Sequence, residues 1–167
     1  MTWLIALLFA SQSHTVSVDK SRFERVLARA QELPDIEPQL VLPNVLAAFN
    51  AETIEYPAEL LLAIAWGESR FKSDITTGHV CGVLQTVPRI PSDCRRWLNV
   101  FAGYQAGVDE LIEWARDRRS RGDLRLVLLA RACGNSAFID TCRKQRWPGW
   151  VLRRARQLGM QADHAMM

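Results

Sequence analysis

At 167 residues, 49% of them hydrophobic, the chain has room for one domain and enough apolar side chains to bury a core. Its formal net charge of +3 is mild and does not by itself point to nucleic acid. No stretch is apolar for the ~20 residues that a membrane-spanning helix needs, and three histidines without any CxxC pair give no zinc pattern and no cofactor signal.

The start, Trp3 to Ala10, is apolar, and "SQS" at 11–13 supplies small residues where a signal peptidase would read them. Residues 1–13 are therefore either a signal peptide, although no Lys or Arg precedes Trp3, or an N-terminal apolar segment packed on the domain. Residues 14–54 read as an N-terminal helical part. Within it, 19–33 sets Phe23, Val26, Leu27, Ala30 and Leu33 on one helical face, with Asp19 or Ser21 as the cap. Pro34 and Pro38 break that pattern, and a short helix is expected after Pro43.

Pro57 opens "PAELLLAIAWGES", whose apolar residues nearly encircle it, as a helix central to a domain would require. Residues 69–96 read as irregular, a loop or small β-hairpin region in which "GVLQTV" is the one short apolar piece. A long amphipathic helix is predicted over 100–119, with Val108, Leu111, Ile112 and Ala115 as its stripe. "RGD" at 121–123 is a turn with an Asp cap, and helices follow at about 123–132, 136–145 and 148–158. The expected fold is a mainly α single domain with its irregular piece just after its most buried helix. Residues 55–160 form its core part and 161–167 a tail.

The four cysteines permit three pairings. Cys81–Cys94 and Cys133–Cys142 each close a short local loop and are favoured, in an oxidising compartment; buried free thiols are the alternative. Basic residues crowd into 143–158, "RKQRWPGWVLRRARQL". That segment reads either as a solvated helix face with its tryptophans turned inward or as a contact for an anionic polymer.

The chemistry concentrates at Glu68. It stands at the carbonyl end of a helix, where the macrodipole disfavours a carboxylate, and Trp66 and Phe71 would desolvate it if they share its cleft. Both effects disfavour the charged form, which is the environment of a general acid. A solvated glutamate at a helix end is the plain alternative.

"ESRF" at 68–71, a polar loop containing glycine, and "CGVLQTVP" at 81–88 resemble the signature of the soluble-type lytic transglycosylase (SLT domain) family, which has a lysozyme-like fold. Members carry Glu-Ser-x-Phe and, after a loop, Gly-Leu-Met-Gln with a proline soon after. Glu68, Ser69, Phe71, Gly82, Leu84, Gln85 and Pro88 match those types in that order. "GYQAGVDELIEW" at 103–114 looks like the family's Asn-x-x-x-Gly helix, and "LLARACGNSAF" at 128–138 is similar to its Ala-Tyr-Asn-Ala-Gly motif. The resemblance spans roughly 55–155. Val83-Leu84 departs from Leu-Met, and Arg131 or Ala132 stands where the family has a tyrosine.

The resemblance implies cleavage of peptidoglycan glycan strands by one glutamate, Glu68, without cofactor or metal. It implies substrate contacts from Gln85, Leu84, Tyr104 and Asn135, while Ser69 either joins them or merely finishes the helix. Tyr104 is a candidate for the cleft, although a lone aromatic is more often core. An extracytoplasmic location follows for a bacterial protein, the periplasm or cell surface, and a virion for a phage protein. Two rivals share the fold: a muramidase with Asp74 as the second carboxylate, and a non-catalytic wall-binding or structural component of a virion or secretion apparatus.

Overall fold

The computed structural model describes residues 19–133 and 146–161. Within them the protein is mainly α, with one small antiparallel hairpin directly after its most buried helix. The apolar start at 1–13, Asn135, Cys142, the whole of the predicted 136–145 helix and residues 162–167 of the tail lie outside the described residues.

Helix α1 covers Lys20–Gln31, and Asp19 is its cap: the carboxylate accepts from the backbone N–H of Ser21 at 2.9 Å and of Arg22 at 3.3 Å. Phe23, Val26 and Ala30 are buried, the face that the spacing predicts. Helix α2 covers Pro38–Ala51 and is longer than the short helix expected after Pro43. Pro38 sits in its first turn, where a missing N–H costs nothing, but Pro43 lies inside and offers no donor to the preceding turn. Beside it, the Asn44 side chain donates to the Leu40 carbonyl at 2.8 Å and so adds a bond where the ladder is weakened.

Helix α3 covers Ala58–Ser69, and every residue from Ala58 to Trp66 is buried. Each of its three fully buried leucines contributes about 2 kcal/mol by leaving water. Gly67 interrupts the helix for a reason of space: a Cβ there would lie 2.8 Å from the Trp150 ring. That ring belongs to helix α7, Trp147–Leu158, which packs along α3 with Trp150 and Trp66 centroids 5.5 Å apart.

Strands β1, Thr76–Thr77, and β2, Val80–Cys81, pair with Thr76 opposite Cys81 and Thr77 opposite Val80. The small hairpin expected within 69–96 is present, and "GVLQTV" after it turns back so that Cys81 and Thr86 exchange backbone bonds of 3.1 and 3.0 Å. Gly82 adopts φ +77°, and a Cβ there would meet the Trp97 carbonyl at 2.6 Å. Only glycine fits both demands.

Trp97 ends helix α4, Pro91–Trp97, a short element that the sequence reading leaves as loop because seven residues show little periodicity. Asp93 closes its first turn by accepting from the Ile90 N–H at 3.2 Å. The expected Cys81–Cys94 disulfide is present and ties β2 to this helix. Cys133 is also disulfide-bonded, and its expected partner Cys142 lies outside the described residues.

Helix α5, Val100–Arg116, is capped by Asn99 and buries Tyr104, Val108 and Leu111; it stops three residues short of the predicted end, where Asp117 turns extended. Helix α6, Leu124–Cys133, is capped by Asp123, as the turn reading of "RGD" requires. None of the helices among the described residues is long and apolar enough to cross a membrane.

Candidate functional site

Glu68 occupies the last turn of α3, and the chain leaves that helix abruptly. Arg70 and Phe71 take φ of +54° and +67°, conformations that non-glycine residues adopt at a cost of about 1–3 kcal/mol each. Phe71 is 1% exposed, so its burial supports the sharp exit. The Ser69 hydroxyl lies 2.7 Å from the Val83 carbonyl and 3.1 Å from the Ala65 carbonyl, which pins the helix end to the returning segment.

That segment brings Gln85 to face Glu68. Gln85 is held at φ +51°, and its side-chain amide donates to the carbonyls of Gly82 at 2.8 Å and Ile75 at 3.2 Å. Both donors are thereby committed, which leaves the amide oxygen as its acceptor for a ligand.

Glu68, His79, Gln85, Glu110, Trp114 and Arg131 line a cleft of about 460 Å³. Through Val87, Glu110 and Trp114 it adjoins a wider groove of about 820 Å³, walled by Trp97 and Arg96 of α4 and by Asp109 and Glu113 of α5.

The surroundings of Glu68 differ from the expected apolar ones. Trp66 and Phe71 are core residues and neither lines the cleft. The neighbour is a guanidinium: Arg131 Nη1 donates to Glu68 Oε1 at 3.2 Å, with Glu68 25% exposed and Arg131 4%. Arg131 Nη2 donates to the Leu84 carbonyl, and Arg131 Nε faces Glu110 Oε2 at 3.3 Å. That last contact is a charge pairing without the alignment of a hydrogen bond, since neither atom otherwise has a partner. One buried cation thus lies between two carboxyl groups. Burial pushes the Glu110 carboxyl above its usual range; Arg131 opposes the shift, and the charges of Glu68 and Glu113 add to it.

Three of the proposed substrate contacts prove to be interior. Leu84 is 1% exposed and its side chain packs on Gly107, because the strained turn at Gln85 sends residue 84 inward; only its carbonyl serves the site. Tyr104 is fully buried and donates to Asn44 Oδ1 at 3.1 Å. Ser69 is 3% exposed and spends its hydroxyl on the backbone. Asp74 is exposed and lines neither cavity. Asn135 falls outside the described residues.

Sequence reasoning missed Glu110 and His79 and saw Arg131 only as a lost tyrosine. A signal existed: "LVLLARA" at 126–132 carries one cation in an otherwise apolar run, and a buried arginine needs a carboxylate partner. No family model, curated protein or solved structure matches the chain.

Proposed function

We propose that the protein is a peptidoglycan lytic transglycosylase that cleaves the MurNAc–GlcNAc β-1,4 bond and leaves 1,6-anhydro-MurNAc ends. The observation that carries this reading is Glu68 at the rigid end of a buried helix, in the wall of a cleft that also holds Gln85. The motif order Glu-Ser-x-Phe, then Gly-x-Leu-Gln, gives the reading its substrate class, and the lysozyme-like fold belongs to the same proposal.

Glu68, as the neutral acid, gives its proton to the glycosidic oxygen as the C1–O bond breaks. The carboxylate so formed takes the proton of the C6 hydroxyl of the same MurNAc, whose oxygen closes on C1 and completes the anhydro ring. The nucleophile is already tethered, so effective molarity replaces an activated water. Arg131 Nη1, 3.2 Å from Oε1, can compensate the charge on Glu68 between the two transfers. The Gln85 amide oxygen is free to accept from a sugar amide or hydroxyl, and the adjoining groove would take further sugar units along Trp97 and Trp114.

A hydrolytic muramidase reading survives with a changed partner. Asp74 is outside the cleft, whereas Glu110 lies within it, so Glu110 is the carboxyl that could activate a water. The Cys81–Cys94 disulfide supports an oxidising location, the periplasm, cell surface or a virion. Arg146, Arg153 and Arg156 are exposed on and beside α7 and offer the anionic-polymer contact, while Arg154 stacks on Trp66 at 4.5 Å.

Purified peptidoglycan digested with wild-type protein and with Glu68→Gln, followed by mass spectrometry of the muropeptides, tests the proposal. Products one water lighter than reducing muropeptides, lost in the variant by at least about a hundredfold, are expected. Reducing ends would replace this reading by the muramidase. No product from folded wild-type protein would sink both and leave the non-catalytic wall-binding role.

A further inference from the structure

Arg131 is the most buried charge in the cleft, and its contacts are more than packing. Its side chain, 4% exposed, enters from α6, reaches Glu68 on α3 and Glu110 on α5, and donates to the Leu84 carbonyl in the segment that carries Gln85. A buried guanidinium left without a counterion is strongly destabilising, so at least one carboxylate must face it at all times. The proposed reaction, on which this inference rests, makes Glu68 neutral for part of each turnover. During that part Glu68 cannot be the counterion, and among the described residues the remaining carboxyl within reach of Arg131 is Glu110, at 3.3 Å.

The geometry points to Arg131 and Glu110 as a positioning pair for Glu68: Arg131 fixes the Glu68 carboxyl at the cleft wall, and Glu110 keeps the buried guanidinium paired while Glu68 carries its proton. Arg131 therefore faces a carboxylate whether Glu68 is charged or neutral. Both act on the substrate through Glu68, Arg131 by direct contact with its carboxyl and Glu110 through Arg131. The arrangement also couples the two walls of the cleft, because one side chain holds the glutamate and the backbone next to Gln85 together. Among the described residues, Glu113 one turn along α5, with its partner Arg89, and His79 in the cleft lining are further charged or titratable groups on these walls.

The first measurement is independent of activity. Carboxyl-labelled glutamate followed by carbon NMR reports the titration of Glu110 in wild-type protein, Glu68→Gln, Arg131→Lys and Arg131→Met. Removal of the Glu68 charge is expected to bring the Glu110 midpoint down, and loss of the guanidinium in Arg131→Met to send it further up, with Arg131→Lys between. A Glu110 titration that ignores both substitutions overturns the pairing. If Arg131→Met fails to fold, Glu68→Gln and Arg131→Lys decide alone.

The second measurement uses peptidoglycan turnover. Glu110→Gln is expected to lower kcat tenfold or more, leave KM within twofold and keep anhydro products, while Arg131→Lys recovers part of what Arg131→Met loses. A raised KM at unchanged kcat would make Glu110 a substrate contact, and selective loss of reducing-end products would make it a catalytic base. Either result overturns the positioning role. Wild-type protein that cleaves nothing, with the Glu110 shifts intact, defeats the transglycosylase reading and leaves the ionic pairing standing.

Discussion

Asn44 shows how much one buried polar residue can organise around a site it does not line. It is 2% exposed, donates to the carbonyls of Leu40 at 2.8 Å and Phe71 at 3.0 Å, and accepts from the Tyr104 hydroxyl. Those bonds join α2, the strained exit after Glu68 and α5. Asn44→Ala would strand the Tyr104 hydroxyl and the Phe71 carbonyl in the interior, at about 2–3 kcal/mol. Urea denaturation should show that loss, and Tyr104→Phe combined with it should cost less than the sum of the two single changes. A simple sum would mean that the three groups do not act together. Nothing in the sequence marks this role of Asn44, since Phe71 and Tyr104 lie 27 and 60 residues away with no spacing to reveal them.

At the scale of elements, the segment 82–86 is clamped between α3, α4 and α5, and glycines make the approach close. A Cβ at Gly107 would fall within 3.0 Å of both Cβ and Cγ of Leu84, and one at Gly103 would lie 2.9 Å from the Trp97 carbonyl. Gly107→Val should therefore cost about 2–3 kcal/mol by overpacking and displace the backbone that presents Gln85 and the Leu84 carbonyl. Thermal unfolding would measure the first effect. Leu84→Ala in the same chain should relieve part of it, so that the double variant loses less than the two singles together. If Gly107→Val is as stable as wild type, the close contact is not a constraint. Gly107 lies in the stretch 103–114 that the resemblance covers, but what it makes room for becomes visible only when α5 meets the turn before Gln85.

Across the whole molecule, a second ionic cluster fastens the N-terminal helix to the body. Arg22 of α1 bonds Glu59 of α3 at 2.9 and 2.6 Å and Glu52 at 3.2 and 2.9 Å, and its guanidinium lies 4.9 Å from the Phe49 ring centroid. Glu59 is 3% exposed, and hydrogen bonding to these carboxylates raises the Arg22 pKa further. Arg22→Met would leave a buried carboxylate without its cation, at roughly 3 kcal/mol. Denaturation midpoints at 0.05 and 0.5 M salt should differ little in wild type, because a buried pair is poorly screened. A strong salt dependence would mean that the cluster is solvated. Arg22→Lys should recover only part of the loss, since one ammonium cannot reproduce the forked contacts.

By itself the sequence determined what is local. Helix periodicity, the Asp19 and Asp123 caps, the burial of α3 all round, the hairpin region after it and the Cys81–Cys94 pairing depend on neighbours in the chain. It also located Glu68 and Gln85 as a pair worth examining. Only the tertiary structure decided which side chains face the cleft. Leu84 and Tyr104 went to the core because turn strain and helix phase point them there, and Glu110 and Arg131 entered the site from two successive helices that the sequence alone does not link to Glu68. A buried charge is explained by its partner, and a partner 21 residues away, as Arg131 is from Glu110, has no fixed spacing to betray it.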